Sequence, residues 1–252
     1  MEALFFLAPL AVVLLVVLIV RWQRSRVFGV GRLSYIDPSR TVPFGGDIVK
    51  SFYVLQKAGI TSGPAAASAM VLKLVRLGLL SVAKDEKGRT CLVVADSGDT
   101  SGLYQSELDL LRMLKRKDFH KWVTTHTRVV AQWVGEVSRD GARALIAEGS
   151  MDKKGHFTPA GTVRACDVAA YRRYLKDTGI DEDKSMDKTV KDSMVFGALF
   201  SCMKQLKRTY GNDNNWPEAY EMLNEAGRVA RSVGIAVNGQ SNSRNYSDYN
   251  GG

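Results

Sequence analysis

Residues 3–20, ALFFLAPLAVVLLVVLIV, carry no charged or strongly polar side chain. Away from water such a run must bond every backbone N–H and C=O internally, and a helix does so. At about 1.5 Å per residue it spans about 27 Å, close to the thickness of a bilayer core. Pro9 removes one bond from its first half, which a membrane helix tolerates. Only Glu2 precedes the run as a charge, whereas Arg21, Arg24, Arg26 and Arg32 follow it, with Trp22 among them. The excess of arginines predicts that the C-terminal side stays in the cytoplasm. The expectation is a single-pass protein of the plasma or inner membrane, N-terminus outside, with a transmembrane helix at 3–20. Arg21, Trp22, Arg24, Arg26 and Arg32 are its topology-setting, lipid-facing residues, and membrane lipid is a partner. A cleaved signal peptide would need a basic start, a shorter apolar core and an A-x-A site. This run has an acidic start and ends in VLIVRWQR.

The remaining composition narrows the chemistry. Charged residues make up 24% and hydrophobic residues 45% of the 252, which excludes a wholly disordered chain. Cys91, Cys166 and Cys202 stand far apart without a CxxC, so neither a disulfide framework nor a cysteine zinc site is indicated. Three histidines, His120, His126 and His156, leave little material for metal or acid–base chemistry. The formal net charge of +9 favours anionic partners.

Hydrophobic periodicity divides the rest into segments. Residues 21–44 read as a juxtamembrane linker. Residues 45–95 read as helix, turn, helix and hairpin: a helix at 46–57, a second at 65–77 closed by Gly78, and strands within 79–95 around the KDEKG turn. That order is the order of a winged helix. Residues 103–157 contain helices near 103–116, 124–137 and 139–148, a second helix-turn-helix-like unit, with Ser138 as N-cap between the last two. A C-terminal helical region covers 158–234. It holds a helix at 162–176, a long buried helix at 186–209 with apolar residues almost all round, and a last helix at 217–232. The Asn/Ser/Gly-rich tail, 235–252, reads as disordered. The fold class expected is mainly α with small β-hairpin wings, comprising one transmembrane helix and a winged-helix-like cytoplasmic region.

Three segments carry a family resemblance: ITSGPAAASAMVLKLVRLGLLSVAKDEKGRTCLVV (60–94), SELDLLRMLKRK through VSRDGARALIAEGSM (106–151), and FTPAGTVRACDVAAYRRYLKDT (157–178) with MVFGALF (194–200). In these the chain resembles the cytoplasmic C-terminal portion of the YciQ-like predicted membrane proteins, a family of unknown function. The likeness covers roughly 45–210. The family's extracytoplasmic β-domain and membrane hairpin are missing from the sequence. The resemblance implies a membrane-associated, helical protein and brings no active site or cofactor.

Recognised catalytic patterns do not occur: there is no G-x-S-x-G, H-E-x-x-H or Walker sequence. GVG at 29–31 precedes no predicted helix, and DEDKSMD at 181–187 lacks the glycine and closing glutamate of a calcium loop. No cofactor, metal or catalysis is therefore expected. A DNA-binding winged helix would read bases from 65–77, which offers only Lys73 and Arg76, with Lys84, Lys87 and Arg89 in the wing. The most basic run is KRKDFHK, and Lys115, Arg116, Lys117, Lys121 and Arg128 are candidates for contact with an anionic surface. The functional expectation is a protein-interaction or assembly module held at the membrane. A membrane-tethered, DNA-binding transcription regulator is the alternative.

Overall fold

The structure, a computed structural model, describes residues 2–177, 189–211 and 216–247; side chains are described over 11–177, 189–211 and 216–239. The helices among these are α1 (Glu2–Phe28), α2 (Ile48–Lys57), α3 (Gly63–Arg76), α4 (Gln105–Leu114), α5 (Phe119–Thr125) and α6 (Thr127–Ala147). They continue with α7 (Pro159–Asp177), α8 (Asp192–Leu199), α9 (Met203–Thr209) and α10 (Glu218–Ser247). Between α3 and α4, β1 (Leu80–Lys84) and β2 (Thr90–Val94) pair antiparallel, with Leu80 opposite Val94 and Lys84 opposite Thr90. The Asp85 carboxylate closes their turn by accepting the Lys87 and Arg89 backbone N–H groups, both at 2.9 Å.

α3 is the hub. Of its 14 residues, ten are buried, so water touches little of it. Its row Ala65–Ala66–Ala67–Ser68–Ala69 is narrow, and α10 lies against it closely enough for the Ser68 hydroxyl to donate to the Ala226 carbonyl at 3.1 Å. α8 covers another side of α3, and α2 packs on α6. The α2–α6 crossing depends on Gly141: a Cβ there would lie 2.7 Å from the Val49 carbonyl oxygen. One continuous core joins Val27 and Phe28 at the root of α1 to Val229, Val233 and Ala236 in α10.

The FTPAG sequence builds a specific junction. The Thr158 hydroxyl accepts the Gly161 N–H at 3.1 Å, capping α7, and donates to the Gly149 carbonyl at 3.0 Å. Pro159 fills the first helical position, where its missing N–H costs nothing. A Cβ on Gly161 would fall 1.7 Å from the Ser150 carbonyl oxygen, so only glycine lets the two segments meet. The loop before it is closed by a bridge between Met151 and Phe157.

Several expectations are corrected. α1 does form, but its described side chains give an apolar stretch only from 11 to 20, about 15 Å of helix. Arg21, Arg24 and Arg26 follow within the same helix. Among the described residues no helix is long and apolar enough to cross a membrane. The expected single span at 3–20, the N-out orientation and the membrane location are overturned on that finding; the side chains of 3–10 lie outside the described set. Val12 to Ile19 are exposed, and Val27 and Phe28 root the helix against α7, where the Cys166 thiol meets the Phe28 carbonyl at 3.2 Å.

The winged-helix-like unit is not shown either. The expected order of elements is present, but α3 is enclosed by α8 and α10 instead of standing free for a groove. Its two cations are spent internally, Lys73 on Glu107 and Arg76 on Asp192.

Other elements differ in their limits. α6 runs unbroken through Ser138, whose hydroxyl donates to the Val134 carbonyl at 3.2 Å within the helix. The expected helix 186–209 divides into α8 and α9 at Ser201, which has φ 64; residues 186–188 lie outside the described set. A straight helix apolar on every side would leave one side in water. The break folds α9 back, so Leu206 packs on Gly197, where a Cβ would sit 3.0 Å from its Cδ2. α10 continues through 235–247, part of the expected disordered tail at 235–252; 248–252 lie outside the described residues.

Candidate functional site

Two charged assemblies stand out, one buried and one exposed. The buried one begins at Asp47, which caps α2 by accepting the Val49 and Lys50 N–H groups at 3.0 and 3.1 Å. Its second oxygen accepts the Tyr104 hydroxyl at 2.6 Å. The Tyr104 N–H in turn donates to Glu107 at 3.1 Å, and Lys73 donates to the other Glu107 oxygen at 2.6 Å. Beside them Lys50 donates to Glu148 at 2.6 Å, and Glu148 also accepts Ser150 at 2.7 Å and pairs with Arg164 at 3.2 Å.

Burial raises the Glu107 carboxyl above the ordinary range, and Lys73 pulls it back only in part. Burial and the neighbouring Asp47 carboxylate also raise the Tyr104 phenol, so it stays a donor. These ionised groups hold one another: the network clamps α2, α3, α4, α6 and α7 together. A nearby carboxylate, Asp140 of α6, accepts the Ser106 N–H at 2.9 Å and so caps α4 from outside it. The sequence reading missed this network. The one local signal was Glu107, the only charged residue on the apolar side of its helix.

The exposed assembly lies where α4 ends and α5 and α6 begin. Phe119 and Val123, one turn apart on α5, are buried and anchor it. Lys121 lies on the exposed side of α5, Lys115, Arg116 and Lys117 precede that helix, and Arg128 follows at the start of α6; all five cations are exposed. Asp118 is the single acid in the segment 115–128. Among the described residues Lys115, Lys117, Lys121 and Arg128 form no ion pair. Arg116 stacks with its guanidinium carbon 4.6 Å from the centre of the Trp122 ring. His126 covers Trp122 too, with ring centres 4.6 Å apart and planes inclined by 19°.

The five predicted anion-contact residues are all exposed, and Arg116 is the one of them placed against the Trp122 ring. Of the juxtamembrane group, Arg21, Trp22, Arg24 and Arg26 lie in the last turns of α1. Arg26 stacks 3.9 Å above Trp22, Arg21 and Arg32 are exposed, and Arg24 is half-buried. His120 is separated from the exposed His126: its Nδ1 lies 2.9 Å from the Ser232 hydroxyl on α10, and burial followed by the Arg228 charge lowers its pKa. In the hairpin, Arg89 pairs with Asp85 at 2.7 Å, so the wing's basic charge is partly cancelled. Among the described residues no group of three His, Cys, Asp or Glu side chains is placed to hold a metal ion.

No family model, curated protein or solved structure matches this chain. The resemblance to YciQ-like proteins therefore rests on the quoted segments alone.

Proposed function

We propose that the chain is a non-catalytic interaction module that docks an acidic protein partner on the face made by Lys115, Arg116, Lys117, Lys121 and Arg128. The observation that carries this reading is the cluster of unpaired cations beside a half-buried tryptophan. An acidic peptide neutralises such a face without needing a groove. Exposed charge pairs contribute about 0.2–1 kcal/mol each, so the binding is cumulative and salt-sensitive. A protein partner is favoured over nucleic acid by two features. The helix expected to read bases is enclosed in the core. Arg116 and His126 both stack on the Trp122 ring, occupying the platform on which a base would stack.

The test titrates the full chain into fluorescent peptides of glutamate, single-stranded DNA and duplex DNA at low and moderate salt. The expected result is saturable peptide binding, weaker at higher salt, that falls at least about tenfold in K115E/K117E/K121E. Tighter binding of either DNA, or peptide binding unaffected by the triple reversal, overturns the proposal.

A further inference from the structure

Among the described residues three buried side-chain polar atoms lack any hydrogen-bond partner: Ser106 Oγ, Arg24 Nε and Arg172 Nε. Two of the three are arginine nitrogens, and both belong to one neighbourhood. Arg24 is in the last two turns of α1, and Arg172 is in α7, against which α1 packs. The two groups lie on helices that pack together, α1 and α7. Burial lowers the pKa of Arg172, and the Arg24 charge acts in the same direction.

Among the described residues the surroundings add no counter-charge. Lys176 follows Arg172 by one turn of α7, and both cations act on the thiol of Cys202 at the α8–α9 break. Burial nevertheless keeps that thiol's pKa above its ordinary value, so it stays neutral. Elsewhere, the partly buried cations Lys50, Lys73 and Arg76 each face a carboxylate. Arg24 and Arg172 form no ion pair among the described residues. A buried N–H without an acceptor is uncommon in a folded protein, and a bound ion is one of its ordinary explanations. Two such groups on arginines of two packed helices call for an acceptor with several oxygens and negative charge.

We propose that Arg24 and Arg172, with Lys176 at the rim, form a binding site for a compact oxyanion of the phosphate type. One oxyanion accepts an N–H from each arginine and cancels their repulsion, joining the root of α1 to α7. The exposed Lys176 marks the open side, through which the anion enters from solvent. This site is separate from the basic face of α4–α6 and stands or falls independently of it.

The experiment follows the thermal unfolding of the full chain against inorganic phosphate and against acetate, with chloride holding the ionic strength constant. Phosphate is expected to raise the unfolding midpoint saturably by mass action, and acetate to do so less. R172L removes a half-buried charge that forms no ion pair among the described residues. It is expected to unfold at a higher temperature without phosphate and to lose the phosphate response. R24Q is expected to weaken the response about tenfold while keeping the helical circular dichroism. The K115E/K117E/K121E protein keeps the full response. The proposal is overturned if chloride alone reproduces the phosphate effect, or if R172L and R24Q respond to phosphate as the unmodified protein does.

Discussion

The Nζ of Lys73 lies 2.6 Å from Oε1 of Glu107, and the Glu107 side chain has no exposed surface. One ionised pair thus joins the hub helix α3 to the start of α4 inside the core. Lys73→Met leaves the carboxylate buried without its counter-charge, and a loss of about 3–5 kcal/mol is expected in urea unfolding. K73M/E107L, which removes both charges, is expected to recover most of that loss. A double variant as unstable as K73M would refute the pairing as the cause.

The same carboxyl sets a pH dependence. Because Glu107 has a raised folded pKa, the folded state holds its proton longer than the unfolded chain does. Its contribution is most favourable at low pH and is lost as pH rises through the folded value. K73M, which removes the pull of Lys73, should therefore gain stability relative to the unmodified protein as pH falls. Denaturation midpoints of both proteins between pH 7 and pH 4 measure this.

His120 has the opposite sign of response. Burial lowers its folded pKa, so the unfolded chain takes up the proton first as pH falls. Stability is unaffected above the ordinary histidine range and declines as pH drops from about 6.5 through the folded value. Ser232 and Arg228 of α10 and the Phe119 ring lie against it, and none of these three is an acid. H120Q should reduce the acid loss, read as a smaller fall in thermal midpoint between pH 7.5 and pH 5.

Two glycines separate close approach from simple helix propensity. Gly161→Ala forces a carbon onto the Ser150 carbonyl and is expected to prevent stable folding or to lower the midpoint severely. Gly135→Ala, at a helical site where the nearest atom to a new Cβ is the Arg139 Nη1 at 3.9 Å, should stabilise by up to about 1 kcal/mol. Thermal melts of the two variants give the comparison directly.

Asp140 reports how α4 is capped. Burial raises its pKa, yet hydrogen bonds from Ser106 and Arg143 outweigh that and hold it below the ordinary carboxylate value. Its contribution is present at neutral pH and is lost as pH falls through the folded value. D140A should cost about 1–2 kcal/mol, in the range of a lost helix cap, with D140N intermediate in the same urea titration.

Local pattern carried much of the secondary structure. Apolar spacing placed α2, α3, α4 and α7 to within a few residues, and KDEKG marked the β1–β2 turn. Gly78 and Gly149 marked helix ends, and both adopt positive φ. The cluster at 115–128 was legible too, because like charges without nearby acids stay at the surface wherever the chain goes. What was illegible depended on distant partners. Ser138 has the chemistry of a helix cap, but packing of α6 on α2 kept the helix continuous. Met186 to Leu206 has the pattern of one buried helix, and the packing of Leu206 on Gly197 and of Phe196 and Phe200 on Tyr171 accompanies the fold-back at Ser201. The buried network stayed hidden because Asp47, Lys73, Tyr104 and Glu148 are far apart in sequence and individually ordinary.

The sequence by itself determined where helices and the hairpin form, how basic the chain is and where unpaired cations collect, since these follow from short-range sterics, hydrophobic period and local charge. Tertiary structure alone decided that α3 is a hub instead of a reading head, that Glu107 is buried opposite Lys73, and that the Nε atoms of Arg24 and Arg172 are buried without hydrogen-bond partners. Burial and desolvation depend on which surfaces close over a residue, and elements far along the chain supply those surfaces.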